Sequence, residues 1–265
     1  MDIKCFFYRA GSLLKYFFKS GYWKGHRIHS PFVFFVVSEL LFEKTPFYAF
    51  KKTDAALEML LKSKEQVGGK TMGASSVDSS PRKKVCKIVR QGSIPTFYGQ
   101  FIFRLINHFE ARNILELGTG TGYGTLFLAL PDSRSRVTTI EGNPLLCRVA
   151  QNLFETVEVK NVNVVNGAFE KALPAELAKT DKLDFVFFDG DHRYKPTLSY
   201  FKMCLSKVHN DSVFVFDDIH WSEAMEEAWD VIAAHPKVTV SLDLYRIGVV
   251  FFRKECTKQH YVIRH

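Results

Sequence analysis

The sequence lacks the signatures of several protein classes. Its five cysteines among 265 residues form no C-x-x-C or C-x-x-H spacing, which argues against a disulfide framework and a structural zinc site. No apolar run approaches the roughly 20 residues that a membrane-spanning helix needs. Charges at Asp2, Lys4, Arg9, Lys15 and Lys19 interrupt any signal-peptide core. We therefore expect a soluble, cytoplasmic protein.

Acidic residues are scarce in the N-terminal part. Residues 1–110 hold 18 Lys and Arg against 8 Asp and Glu, whereas residues 111–265 hold 18 against 20. The basic surplus indicates either an acidic partner or a solvated basic surface. Residues 3–19 repeat apolar side chains at helical spacing. This helix is expected to pack on its own domain, on a second copy in a homodimer, or on a membrane surface, and the first outcome is the commonest.

Low complexity is confined to residues 65–80, which are rich in Gly and Ser and are predicted to form a flexible loop or lid. Helical patterns lie on both sides of this loop. They cover residues 31–44, 53–64 and 81–90, and a further helix begins at Pro95. We predict a helical N-terminal extension over residues 1–91 and a second domain over residues 92–265.

Strands and helices alternate from residue 113 onward. The predicted strands are 113–117, 136–140, 162–165, 183–188, 213–216, 238–244 and 247–252. Alternation of this kind specifies a parallel sheet with helices on both faces. The last two strands are joined by Tyr245-Arg246, which is too short for a crossover, so they must form an antiparallel hairpin. A dinucleotide-binding domain would instead continue with parallel crossovers.

Glycines alternate at positions 118, 120, 122 and 124, between the first of these strands and a helix. They remove Cβ atoms where a ligand approaches the backbone, and the helix start offers free N–H groups, which predicts a nucleotide-like ligand. The spacing fails the G-x-G-x-x-G template because Tyr123 stands at the third glycine. Glu116 can accept from a cation or amine, such as an amino-acid ammonium. A plain structural turn is the alternative.

Glu141 ends the second strand of this series, 23 residues after Gly118. An acidic side chain at that point can accept both hydroxyls of a ribose. The alternative is a helix-capping or solvated glutamate.

The motif Glu116-Leu-Gly-Thr-Gly-Thr-Gly, Glu141 and the terminal hairpin resemble the class I S-adenosylmethionine-dependent methyltransferases. This resemblance implies a Rossmann-like α/β fold, with a seven-stranded, mainly parallel sheet that ends in an antiparallel hairpin. It covers residues 92–253, so the domain predicted over residues 92–265 would be the methyltransferase domain.

Three further motifs resemble the O-methyltransferases related to the catechol and caffeoyl-CoA enzymes. They are Asp189-Gly-Asp-His192, Asp217-Asp218 and the helix start at residues 94–100. In that family Gly118, Thr119 and Gly120 would contact the methionine part of the cofactor, Gly167, Ala168 and Phe169 would flank the adenine, and Asp189 would face the sulfonium. The complete predicted cofactor set is Glu116, Gly118, Thr119, Gly120, Gly124, Glu141, Gly142, Gly167, Ala168, Phe169 and Asp189.

A metal site is a further implication of the resemblance. In metal-dependent members an Asp at the first strand end joins an Asp-Asn pair at the next to hold Mg²⁺ or a similar divalent cation. The corresponding residues here are Asp189, Asp217 and Asp218, and Asp218 replaces the Asn. Such a cation would depress the pKa of a substrate hydroxyl and orient it. The alternative is that Asp217 and Asp218 cap the following helix without a metal.

The predicted catalytic residues are Asp189, Asp191 and His192. His192 stands where catechol-type enzymes have a Lys, and it or Asp191 could deprotonate an acceptor. His220 is a second candidate base. Each of these His residues could instead be packed and hydrogen-bonded.

The leading hypothesis is methyl transfer to an oxygen of a small or medium acceptor. Methylation of RNA or protein is an alternative because of the basic N-terminal region, but the chain lacks the N/D-P-P-Y/F signature after its fourth strand, and nucleic acid is a disfavoured partner. A catalytically silent binding or assembly module with the same fold is a third hypothesis.

Overall fold

The computed structural model describes residues 3–21, 25–68 and 82–265, and gives the backbone alone for residues 3–7 and 10. The chain divides into two compact units. We call residues up to Glu43 together with Val186–His265 the terminal unit, and Lys44–Phe185 the central unit. Most of the loop predicted at residues 65–80 lies outside the described residues. The predicted extension over residues 1–91 stays a prediction.

The elements of the described residues alternate from β3 onward, as predicted. In chain order they are α1 (Ile3–Lys19), α2 (Pro31–Phe35) continued by a π-helix (Val36–Leu41), α3 (Phe50–Lys62), β1 (Gln66–Val67), β2 (Lys83–Lys84), α4 (Val85–Gly92), α5 (Thr96–His108), β3 (Asn113–Leu117), α6 (Tyr123–Ala129), β4 (Arg136–Glu141), α7 (Pro144–Thr156), β5 (Val162–Asn166), α8 (Phe169–Ala178), β6 (Phe185–Phe188), α9 (Tyr194–Cys204) followed by a 3₁₀ turn (Leu205–Lys207), β7 (Val213–Phe216), α10 (Glu223–Ala234), β8 (Val240–Leu244), β9 (Ile247–Phe251) and β10 (Gln259–Val262).

Three N-terminal helices differ from the prediction in their bounds. Helix α3, predicted over residues 53–64, begins three residues earlier, at Phe50, and ends at Lys62. The helix that begins at Pro31 loosens into the π-helix, where the Ser38 hydroxyl donates to the Phe34 carbonyl at 2.8 Å. Such a bond back to the preceding turn competes with the helical ladder and bends the helix. Helix α4 begins later than predicted, at Val85, because Lys83 and Lys84 pair with Val67 and Gln66 in a short antiparallel ladder.

The central unit is built on three parallel strands in the order β3-β4-β5. Helices α5 and α6 of this unit pack so closely that one position between them has no room for a side chain. A Cβ atom on Gly99 of α5 would lie 2.5 Å from the ring of Phe127 on α6, so this contact requires glycine. Burial of such large apolar rings supplies most of the stability of the unit.

The terminal unit contains five strands in the order β10-β8-β9-β7-β6. Strand β6 begins at Phe185, one residue before the boundary of this unit at Val186. Strands β8 and β9 form the predicted antiparallel hairpin, and every residue of β6 and β7 is buried. The Phe188 and Phe216 rings stack at 4.3 Å. Strand β10, which pairs in parallel with β8, is an addition to the seven predicted strands. Its four residues are too few and too polar for a period-2 pattern to reveal it.

Helix α1 forms over the predicted residues and contacts the rest of the terminal unit. The buried Tyr16 donates to the Ile263 carbonyl, and Tyr8 donates to the Glu226 carboxylate. Its other face leaves Phe17 and Phe18 exposed, the latter by 89%. Association through this face, with a second copy or with a membrane surface, stays a prediction. Across the described ranges, no helix combines the length and the apolar character needed to cross a bilayer.

Candidate active site

The glycine turn follows β3 in the central unit and leads into α6. Gly118, Gly120 and Gly122 have φ values of +109°, +53° and +85°, in the region that disfavours side chains. A Cβ atom on Gly122 would lie 3.0 Å from Ala150 and Phe154, whereas one on Gly120 would meet nothing within 4 Å. Gly122 is therefore required by packing, and Gly120 leaves open space at the turn.

Glu116 is fully buried at the end of β3. The hydroxyls of Thr125 and Thr139 both donate to its Oε2 atom at 2.6 Å, while Oε1 has no hydrogen-bond partner. Burial raises the pKa of Glu116 to about 7, although the two threonine hydrogen bonds oppose the shift. One oxygen thus keeps acceptor capacity, as the predicted binding of a cation or amine requires. Thr125 and Thr139 were not singled out in the sequence, because a threonine in a buried element carries no local signal.

Glu141 ends β4 and ties the glycine turn to that strand. Its Oε2 accepts from the Gly120 backbone N–H at 3.0 Å, and its Oε1 accepts from the Asn143 backbone N–H at 2.8 Å. Burial raises its pKa, and backbone donors that include Gly142 limit the rise. Because a carboxylate has about four acceptor positions and three backbone donors contact this one, Glu141 can still accept about one hydroxyl. This capacity suits the predicted ribose contact.

The residues predicted to flank the adenine lie next to this strand end. The Gly167 N–H donates to the Glu141 carbonyl at 3.0 Å, and Ala168 precedes α8, whose first residue is the buried Phe169. The central unit therefore brings together Gly118–Gly120, Glu141 and Gly167–Phe169. Thr119 points inward, where its hydroxyl lies 2.6 Å from that of Thr139. Gly124 lies in the first turn of α6, beside the Glu116 carboxylate.

Three carboxylates follow strand ends in the terminal unit, at Asp189, Asp217 and Asp218. Asp217 is 1% exposed and accepts from Arg246 at both oxygens, from Nε to Oδ1 and from Nη2 to Oδ2, each at 3.1 Å. Arg246 Nη2 lies 3.7 Å from Asp218 Oδ1. Burial lowers the pKa of the Arg246 guanidinium, but the charge and hydrogen bonds of Asp217 outweigh this effect, so that the pKa is raised overall. Arg246 was not among the residues predicted from the sequence, because its partner Asp217 is 29 residues away along the chain.

His192 lies between two of these carboxylates. Its Nε2 atom is 4.0 Å from Asp189 Oδ1 and 4.0 Å from Asp218 Oδ2. Burial and the neighbouring Asp217 raise the pKa of Asp218, whereas Arg246 and His192 lower it. Asp218 also has a positive φ of 52°, a conformation that costs a non-glycine residue about 1–2 kcal/mol. The structure therefore groups His192 with the carboxylate cluster.

Asp191 is engaged by neighbouring side chains. Arg193 donates to both of its oxygens, and the Tyr200 hydroxyl donates to Oδ2 at 3.2 Å. The carboxylate is 5% exposed, and the residue has a φ of +56°. These contacts favour a positioning role over proton transfer.

His220, the other candidate base, has a different environment. Its Nε2 atom lies 2.8 Å from Asp243 Oδ2, and Nδ1 lies 3.4 Å from Glu226 Oε2 without hydrogen-bond geometry. Tyr245 stacks on its ring at 5.3 Å. Burial lowers the pKa of His220, but Asp243 and Glu226 outweigh this and raise it. Since Glu226 also holds Tyr8 of α1, these contacts favour an anchoring role for His220.

The predicted metal ligands do not fit a divalent cation as they are arranged. Mg²⁺ requires near-octahedral oxygen ligands at about 2.0–2.1 Å, but both oxygens of Asp217 are bonded to Arg246. Among the residues described, no group of three or more His, Cys, Asp or Glu side chains has a geometry that could hold a metal ion. Metal binding at Asp189, Asp217 and Asp218 stays a prediction.

Comparisons with known proteins agree with this architecture. A family model described as a methyltransferase domain matches residues 115–219. An Arabidopsis thaliana protein named after caffeoyl-CoA O-methyltransferase is 26% identical over 165 residues, which are 61% of this chain and 67% of that protein. A catechol O-methyltransferase of Niastella koreensis is 30% identical over 131 residues, so the match covers 48% of this chain and 58% of that enzyme.

A solved structure shows the same fold. The O-methyltransferase from Bacillus cereus, in complex with SAH, superposes with a TM-score of 0.57 at 21% identity and covers 81% of this chain and 94% of its own. The alternating elements, the terminal hairpin and the glycine turn define the class I methyltransferase fold. In this fold the chain is similar to the class I S-adenosylmethionine-dependent methyltransferases, and its curated relatives bear the names of caffeoyl-CoA and catechol O-methyltransferases.

Proposed function

We propose that this protein transfers the methyl group of S-adenosylmethionine to an oxygen atom of a small-molecule acceptor. The observation that carries the proposal is the glycine turn, in which Gly120 leaves open space beside Glu141. A ligand can approach the backbone there, and a ribose hydroxyl can donate to the remaining acceptor position of Glu141. The Glu116 carboxylate can accept a hydrogen bond from the amino group of the cofactor, since its Oε1 atom has no hydrogen-bond partner in the protein.

The choice of oxygen as the methyl acceptor rests on the relatives. The curated proteins that match are named for catechol and caffeoyl-CoA O-methylation. In such a transfer the acceptor oxygen attacks the methyl carbon, the carbon–sulfur bond breaks, and the sulfonium becomes a neutral thioether. The hydroxyl proton leaves to a base, for which we propose His192 among the predicted residues. Its Nε2 atom lies 4.0 Å from Asp189 Oδ1 and 4.0 Å from Asp218 Oδ2.

Calorimetry with S-adenosylhomocysteine, the demethylated product, tests the cofactor part of the proposal. We expect Glu141→Gln to weaken this binding about 10–100-fold, since hydrogen bonds to a charged acceptor are worth about 1.5–3 kcal/mol. Glu155→Gln, at an exposed position of α7, is the control and should bind like the wild type. An absence of binding to the wild type at millimolar ligand would refute the proposal.

Mass spectrometry with catechol and caffeoyl-CoA as probes tests the acceptor. Transfer of one methyl group to a probe hydroxyl supports the proposal. Product binding without transfer to either probe or to another hydroxylated small molecule would instead support the catalytically silent module.

A further inference from the structure

The carboxylate cluster of the terminal unit (Asp189, Asp217 and Asp218) includes a positively charged side chain, the Arg246 guanidinium. Arg246 contacts Asp217 through two parallel N–H···O bonds of 3.1 Å and lies 3.7 Å from Asp218. This planar, two-point geometry is the strongest way for a side chain to hold a carboxylate. Asp217 and Asp218 thus have a fixed positive partner within the chain.

The backbone of a hairpin holds Arg246 in place. It lies in the turn between β8 and β9, and its carbonyl accepts from the Ile219 N–H at 3.1 Å. The preceding Tyr245 donates its N–H to Asp243 Oδ1 at 2.8 Å. Because the hairpin is paired along both strands, the guanidinium is directed at Asp217 by a rigid element.

The position of Arg246 competes with a metal ion. Family resemblance assigns Asp217 and the residue after it to a divalent cation, yet here the residue after Asp217 is a second Asp. That replacement adds one negative charge to the cluster, and Arg246 supplies one positive charge. A metal ion could bind Asp217 only if the Arg246 guanidinium moved away. Asp217, which is 1% exposed, would then lose both of its hydrogen bonds to Arg246.

We propose that Arg246 is the resident cation of the Asp189–Asp217–Asp218 cluster and that this site works without a divalent metal ion. Arg246 is a positioning residue: it neutralises Asp217 and keeps Asp218 in place beside His192. The inference deepens the proposed methyl transfer through His192, but it stands on contacts within the terminal unit that a metal-binding experiment can examine without any turnover.

Manganese titration of the wild type, followed by electron paramagnetic resonance, is the first test. Mn²⁺ is a paramagnetic probe for sites that accept Mg²⁺. We expect no stoichiometric binding at up to millimolar Mn²⁺, and no change of melting temperature on addition of Mg²⁺ or of a chelator. One Mn²⁺ bound per chain at micromolar concentration, or a fall of the melting temperature with chelator, would overturn the proposal.

Removal of the guanidinium is the second test. Arg246→Met should lower the melting temperature by on the order of 10 °C, because it leaves the buried Asp217 carboxylate and the half-buried Asp218 carboxylate beside it without their cation. Mn²⁺ or Mg²⁺ should then restore part of the loss. The matched control is Arg253→Met: the Arg253 side chain is 28% exposed against 27% for Arg246, but its partner Asp211 is 54% exposed. Equal, small losses in the two variants would contradict the proposal.

A variant that keeps the positive charge at position 246 tests the proposal even if Arg246→Met does not fold. Arg246→Lys retains a cation but loses the two-point contact, and we expect an intermediate melting temperature that chelator does not change. A melting temperature of this variant that depends on Mg²⁺ would count against Arg246 as the sufficient cation. Binding of S-adenosylhomocysteine to the same wild-type sample, with and without Mg²⁺, separates the two proposals: no binding refutes the proposed function, whereas the Mn²⁺ result alone decides the role of Arg246.

Discussion

Two buried carboxylates, Glu116 in the central unit and Asp217 in the terminal unit, are accommodated in different ways. Glu116 receives two neutral hydroxyl donors on one oxygen, and burial raises its pKa to about 7. Asp217 receives a guanidinium on both oxygens. The first arrangement leaves an acceptor atom without a protein partner, while the second uses both. The first carboxylate therefore keeps capacity for a further hydrogen-bond donor, whereas the second is already neutralised by a side chain of the protein.

The largest expected effect comes from removing the charge of Asp217. Asp217→Asn should destabilise the protein by about 3 kcal/mol, since Arg246 is left as a largely buried charge with a weaker partner. Chemical denaturation measures this loss. The control is Asp211→Asn, whose carboxylate pairs with Arg253 at 3.1 Å but is exposed, so that a change below about 1 kcal/mol is expected. If both variants lose the same stability, the distinction between the buried and the exposed pair fails.

The two glycines of the central-unit turn should separate packing from ligand space. Gly122→Ala places a Cβ atom 3.0 Å from Ala150 and Phe154 in a left-handed conformation, so we expect a loss of about 2–3 kcal/mol from crowding and strain. Gly120→Ala has the strain alone, about 1–2 kcal/mol, and should instead weaken binding of S-adenosylhomocysteine. Thermal unfolding and calorimetry on both variants check this. A Gly120→Ala protein that binds the product normally would show that the open space is not used.

The raised pKa of Glu116 predicts that the stability of the protein depends on pH. The folded pKa is about 7 against an ordinary 4.5, so the folded state binds more protons between these values, and stability falls as the pH rises through this window. Relative to Glu116→Gln, the wild type should lose on the order of 2 kcal/mol between pH 5 and pH 8. Urea denaturation at several pH values measures the difference. If the free energy of unfolding of the two proteins changed with pH in the same way, the pKa of Glu116 would not be raised in the folded state.

The smallest effect is expected at Asp218. Asp218→Asn removes one charge from the cluster while Arg246 still holds Asp217, and Asn tolerates the left-handed φ of 52° at this position. We expect a stabilisation of less than about 1 kcal/mol from relieved repulsion, measured as a small rise in melting temperature. Stoichiometric Mn²⁺ binding by this variant would show that the charge of Asp218, and not the presence of Arg246, decides whether the cluster takes a metal.

Much of the fold could be predicted because its signals are local. Apolar runs of four to six residues that end in polar or glycine residues located strands such as β3, β6 and β7, and the two-residue Tyr245-Arg246 connection required a hairpin. The glycine turn and Glu141 could be found for the same reason, since their roles depend on backbone geometry at strand ends. Strand β10 escaped prediction because four mixed residues show no periodicity.

The sequence by itself indicated the methyltransferase-like fold, the glycine turn and the acidic residues that follow the strands. Tertiary structure alone decided which partner each acid has: Thr125 and Thr139 for Glu116, Arg193 and Tyr200 for Asp191, and Arg246 for Asp217. The physical reason is that the charge state of a buried carboxylate depends on donors within hydrogen-bond distance. Most of those donors come from other elements of the chain, so no local pattern reveals them.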